Sequence, residues 1–215
     1  MAHGLSRRSL LALGGAISLP GVGCLGAQPT GLVTVEETFE QGLGDWERAA
    51  DIPDHPDTGM PVEWSIEPST ERARSGDRSV RFVLDGSQDD GTIWLVRPVT
   101  VNAGTAYAGE LTARAWSASE SFNTLAHLVC LTATARPAAE NDFPPSGETW
   151  AGDGRSMAGL RQPLNRREGW DEYSVTWSTP PLDTDRLWLA VGITVVWETT
   201  VRYFLDDVDL RLRPV

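Results

Sequence analysis

No stretch of fifteen residues in this chain repeats its apolar side chains at the helical period; short runs of Val, Leu, Thr and Trp alternate with polar residues instead. Clusters of Gly, Pro and Asp separate these runs, which is the pattern of strands joined by turns. The spacing predicts nine strands, over 31–40, 62–67, 78–85, 91–101, 106–116, 124–134, 171–178, 185–197 and 200–213. In the third, Val80, Phe82 and Leu84 alternate with Ser79, Arg81, Val83 and Asp85, so one side faces a core and the other is mostly wet. Strict alternation in the last puts Phe204, Val208, Leu210 and Leu212 on one side, with Tyr203, Asp207, Asp209 and Arg211 on the other. The run 185–197 is apolar on both sides, which marks a central strand. Nine antiparallel strands without interleaved helices imply an all-β fold, a two-sheet antiparallel β-sandwich wound as a jelly roll. Two stretches break the rhythm, 51–62 and 136–169. The second reads as one long loop, and its Phe143, Trp150 and Met157 should bring it back onto the sandwich.

At the amino end, Ser6, Arg7, Arg8, Ser9, Leu10 and Leu11 precede a run of Ala, Leu, Gly and Ile that ends in Gly21, Val22, Gly23 and Cys24. This resembles a twin-arginine export signal closed by a lipobox. The apolar run contains Gly14 and Gly15 and is closed by Pro20, so it is shorter than the about 20 residues that a membrane span needs. The expected organisation is an export signal over 1–23, a short tether over 24–30 and a jelly-roll domain over 31–215, with its long loop near 136–169. The resemblance implies lipidation of Cys24 and display outside the cell, with the membrane touched by the lipid anchor only. The alternative is a cysteine that merely follows the leader. Cys130, in the run Leu128, Val129, Cys130, Leu131, reads as a small core residue, because a lipidated Cys24 leaves it no disulfide partner.

Charge narrows the partners. The chain carries 30 acids against 18 bases, all of them Arg, for a net of −12. Without Arg7 and Arg8 of the leader, 16 bases face the same 30 acids, a net of −14. Nucleic acid binding needs clustered cations, so no nucleic acid partner is expected. An acidic surface with Arg in place of Lys is halophile-like, suited to solubility in strong salt.

Four blocks carry a family resemblance. Glu37, Thr38, Phe39, Glu40 with Gly42, Leu43, Gly44, Asp45, Trp46 open the domain. Ser75, Gly76, Asp77, Arg78, Ser79, Val80 precede one strand and Gly169, Trp170, Asp171, Glu172, Tyr173 another; Leu205, Asp206, Asp207, Val208, Asp209, Leu210 lie in the closing strand. In this order the blocks resemble carbohydrate-binding modules of the galactose-binding-like jelly-roll type. The resemblance implies a structural calcium (Ca2+) where first and last strands meet, with side-chain oxygens from Glu40 and Asp206 and backbone oxygens from the turn at Gly76 and Asp77. The plainer reading is that Asp206 and Asp207 are strand-end acids paired with Arg202. A carboxylate on the side of Val208 and Leu210 would need a cation or other partner to be buried there.

A poly- or oligosaccharide partner calls for exposed aromatic platforms beside fork-like polar groups, because a sugar ring has an apolar C–H face and a rim of hydroxyls. In 106–116, Trp116 shares the polar face with Glu110, Thr112 and Arg114. The expected ligand surface is Trp116, Ser121, Asn123 and Glu198, with Trp197 or Trp94 as a further platform and Arg114 as a donor. Trp46, Trp64, Trp170 and Trp177 are assigned to structure, and His127 to a hydrogen-bonded buried position. Two other classes stay open. One is a glycoside hydrolase or polysaccharide lyase, for which Glu198 with Glu110 or Glu120, or Asp207 with Asp209, would supply the two acids. The other is a surface adhesion module. The chain has no GxSxG, HExxH, paired CxxC or phosphate-binding Gly loop, and only two His follow the leader.

Overall fold

A computed structural model describes residues 31–55, 57–85, 91–118, 125–151, 157–164, 168–196 and 200–215. The strands are β1 (Val33–Glu37), β2 (Glu47–Asp51), β3 (Trp64–Ser69), β4 (Ser79–Leu84), β5 (Gly91–Thr100), β6 (Tyr107–Ala118), β7 (Leu125–Ala133), β8 (Thr149–Ala151), β9 (Ala158–Pro163), β10 (Glu168–Ser178), β11 (Arg186–Val196) and β12 (Val201–Pro214). One sheet runs β10-β6-β12-β4-β3, with β1 also paired to β12; the other runs β2-β5-β11-β7-β9-β8. Every pairing is antiparallel. The protein is therefore an all-β, two-sheet antiparallel sandwich.

Alternation builds the core. Ile66, Phe82, Tyr107 and Leu111 from the first sheet meet Ile93, Leu128, Leu189 and Val191 from the second, all fully or nearly fully buried. Cys130 lies in the same core, and burial pushes its thiol far above the ordinary range, as expected of a packing residue. The apolar run 185–197 becomes β11, held between β5 and β7 at the centre of its sheet.

Three strands were not foreseen. β2 reads Glu-Arg-Ala-Ala-Asp, β8 has three residues, and β9 carries Gly159 and Pro163, so none shows a run of alternating apolar residues. Residues 136–169 are thus not one loop. A strap over 134–148, with a single 3-10 turn at Glu140–Asp142, leads into β8 and β9.

A bulge corrects the reading of the closing strand. Pairing of β12 with β6 shifts between Asp206 and Asp209, and Asp207 takes a left-handed backbone, φ 47°. The extra residue reverses the phase. Before it, Tyr203 and Leu205 enter the core while Phe204 and Asp206 face out; after it, Val208, Leu210 and Leu212 face in.

Candidate functional site

Glu40, from the opening block, and Asp206, from the closing strand, both bond to the segment 72–78. Glu40 Oε1 accepts the backbone N–H of Asp77 at 3.0 Å and of Arg78 at 2.8 Å. Asp206, fully buried, accepts from the N–H of Arg74 (2.7 Å) and Ser75 (3.2 Å) at Oδ2 and of Asp207 (2.8 Å) at Oδ1. Ser75 Oγ–H donates to Asp207 Oδ1. Gly76, at φ 58°, lies so close under the Glu40 carboxylate that a side chain there would strike it. Phe39, beside Glu40, is also left-handed at φ 56°, its ring buried against Trp46.

Asp206 faces away from Val208 and Leu210, contrary to the side first assigned to it, and its partners are backbone amides; Arg202 pairs with Glu71. Burial holds the Asp206 carboxyl above its ordinary range, against the pull of the three N–H groups and with a further push from the Asp207 charge. Oxygen donors brought from distant segments suit a hard cation in their chemistry, and Glu40 Oε2 takes no hydrogen bond among the described residues. The amides, however, already meet the charge. Among the described residues, no group of three or more acidic, His or Cys side chains is gathered as a cage.

Of the expected ligand residues, Asn123, Trp197 and Glu198, together with Ser121 and Glu120, lie outside the described residues, as does Cys24. Two of the others are corrected. Trp116 is on the outer face as expected, but it is only 9 % exposed: the Arg72 guanidinium lies 3.7 Å above its ring, and Phe204 meets its edge at 5.7 Å. The segment that carries Arg72 is held by Asp206 at 74–75 and by Ser79 Oγ–H, which donates to the Arg72 carbonyl. Trp94 is buried under Phe143 of the strap, ring centroids 5.4 Å apart. Arg114 forms a surface pair with Glu172 at 2.6 Å. Trp46 and Trp177 are buried in the main core, and His127 is buried with Nε2 2.8 Å from Ser146 Oγ, as assigned from sequence. Of the proposed acid pairs, Glu110 is exposed on the outer face of β6, and Asp207 stands in the bulge rather than in strand alternation with Asp209.

The sequence reading missed what lies on the outer face of the second sheet. There Trp94, Val96, Val129, Leu131, Ala133 and Ala190 form a second apolar cluster, with Ala49, Trp150 and Trp188 at its margin. Gly192 permits it, since a Cβ at that position would collide with Trp94 and with the Ile93 carbonyl. The strap crosses this face. Phe143 plugs the centre; Glu140 is bound by Thr92 Oγ1–H (2.7 Å) and by Arg161 (2.8 Å), and its backbone N–H donates to Asp51 Oδ2 (2.7 Å). Thr194 Oγ1, buried in the same network, donates to Thr92 Oγ1 at 2.8 Å, whose own proton goes to Glu140, and accepts from Arg161 Nη2 at 3.2 Å.

Beside the strap a recess of about 210 Å³ remains open. Leu131 and the half-buried indole of Trp150 line it, Met157 stands exposed at its mouth, and Arg136, Asn141 and Asp142 supply polar groups. Arg136 pairs with Glu47 at 2.8 Å and stands 5.4 Å over Trp188. Asp142 Oδ2 accepts the N–H groups of Ala138 and Ala139, while the Asn141 amide has no partner among the described residues.

No family model and no curated protein sequence matches the chain. Solved structures do. Carbohydrate-binding modules from the β-sandwich superfamily align over 81 % of this chain and 60 % of theirs, at 17 % identity and a TM-score of 0.48, so the chain spans less than two thirds of that structure. TmCBM61 in complex with β-1,4-galactotriose aligns over 81 % and 93 %, at 14 % identity and TM-score 0.46. The K3 cleaved adhesin domain of Lys-gingipain from Porphyromonas gingivalis aligns over 84 % and 99 %, at 14 % identity and TM-score 0.47.

Proposed function

We propose that the chain is a non-catalytic carbohydrate-binding module-like domain. The observation that carries this reading is the recess at Trp150: a half-buried indole lining an open recess beside an unengaged amide and a carboxylate suits a sugar ring, apolar on its face and hydroxylated at its rim. The leader over 1–23 and Cys24 support export and a lipid anchor as the setting.

A glycan array at high salt, paired with an assay for released reducing sugar, tests the proposal. Binding without release supports it, release supports a polysaccharide-cleaving enzyme, and neither leaves the adhesion module. Trp150→Ala should cost about 2 kcal/mol of binding, read by titration calorimetry with the best array ligand.

We also propose a structural calcium at the junction of the two ends, liganded by Glu40 and Asp206 side chains with backbone oxygens of the Gly76–Asp77 turn. Because backbone amides already satisfy Asp206, the ion adds to stability rather than being required for folding. Saturating calcium should raise the melting midpoint by about 5 °C over the chelated protein. An unchanged midpoint removes the site.

A further inference from the structure

We infer that the recess at Trp150 accepts one uncharged pyranose unit, at a chain end or side branch, and rejects uronic acids; this rests on the sugar-binding reading of that recess. Shape is the first argument. An open outer sheet face forms a trough that a polysaccharide could follow, but here the strap crosses it, with Phe143 2 % exposed on Trp94 and Glu140 fixed to Thr92 and Arg161. Among the described residues, what remains is lined by Asn141 and Asp142 of the strap and by Trp150. Its 210 Å³ falls below the roughly 300 to 1,000 Å³ of sites for drug-sized ligands, which leaves room for one ring on one indole.

Charge is the second argument. Among the described residues that line the recess Arg136 is the cation, and Glu47 holds it at 2.8 Å. Among the described residues the Asp142 carboxylate has amide partners and no salt bridge, so with Glu47 counted beside the lining two carboxylates face one guanidinium, within a chain of net −12. A uronate carboxylate would meet those two carboxylates, while the one guanidinium among the described lining residues is already paired.

The test uses the domain with methyl glycosides of glucose, galactose, mannose and xylose, their β-1,4 oligomers of two to six units, and glucuronic and galacturonic acids, followed by calorimetry. Expected is a Kd for the preferred sugar that changes less than about threefold between two and six units, with the matching uronate bound about tenfold more weakly. Asn141→Ala, on an exposed position, should weaken the single unit while leaving the circular dichroism spectrum intact. Glu47→Gln, which frees Arg136, should bring the uronate within about threefold of the neutral sugar. Affinity rising tenfold with chain length overturns the single-unit inference, and uronate bound as tightly as neutral sugar overturns the rejection of uronic acids; either leaves the sugar-binding function standing. Absence of binding to every sugar overturns both.

Discussion

Asp209 shows how one carboxylate sets a pH dependence. Burial raises its pKa above the ordinary 3.8, outweighing the attraction of Arg211 and Arg114, and Glu36 and Asp207 add to the rise. A carboxyl with a raised folded pKa binds its proton more tightly in the native state than in the unfolded chain. Its contribution to stability is therefore fully present below 3.8 and is lost as pH climbs through the raised value. Asp206 acts in the same direction. Asp209→Asn should leave the melting midpoint unchanged at pH 3 and raise it at pH 7; a fall at pH 7 would contradict the assignment. Glu140 is a contrasting case, because its partner is hidden. Arg161 is 9 % exposed, and Glu140→Ala leaves its guanidinium without the carboxylate, at a cost of about 2–3 kcal/mol in urea unfolding. Arg202→Ala breaks a pair whose arginine is 58 % exposed and should cost less than about 0.5 kcal/mol.

Among the elements, the bulge in β12 is decisive. Deleting Asp207 would put β12 in unbroken alternation, so either Tyr203 and Leu205 or Val208, Leu210 and Leu212 must leave the core. That variant should lose its near-ultraviolet circular dichroism, whereas Asp207→Gly, which suits φ 47°, should keep it. The bulge also explains why the sequence misled at Phe204. Tyr203 and Phe204 are both large and aromatic, and nothing in their order reveals which faces inward once a residue is inserted between them and Val208. Strands β4, β5, β7 and β11 were legible because their apolar residues repeat for six residues or more, while β2, β8 and β9 draw their place from neighbouring strands.

On the scale of the molecule, the sandwich was readable from punctuation and period, but the exposure of its tryptophans was not. Trp94 and Trp116 both stand on outer faces, where alternation predicts accessibility, and both are covered by segments distant in sequence: the strap at Phe143 and the 72–78 turn at Arg72. Trp150 could be foreseen only as a packing residue, since its neighbours in the recess come from β7 and from residues 134–142 of the strap. The register of β1 on β12 sets Val33 beside Leu212, so the domain's two ends emerge next to one another. A fold that begins and finishes at one point can be spliced into a loop of a host protein without stretching it, and carried there as an appended knob with its remaining surface unobstructed.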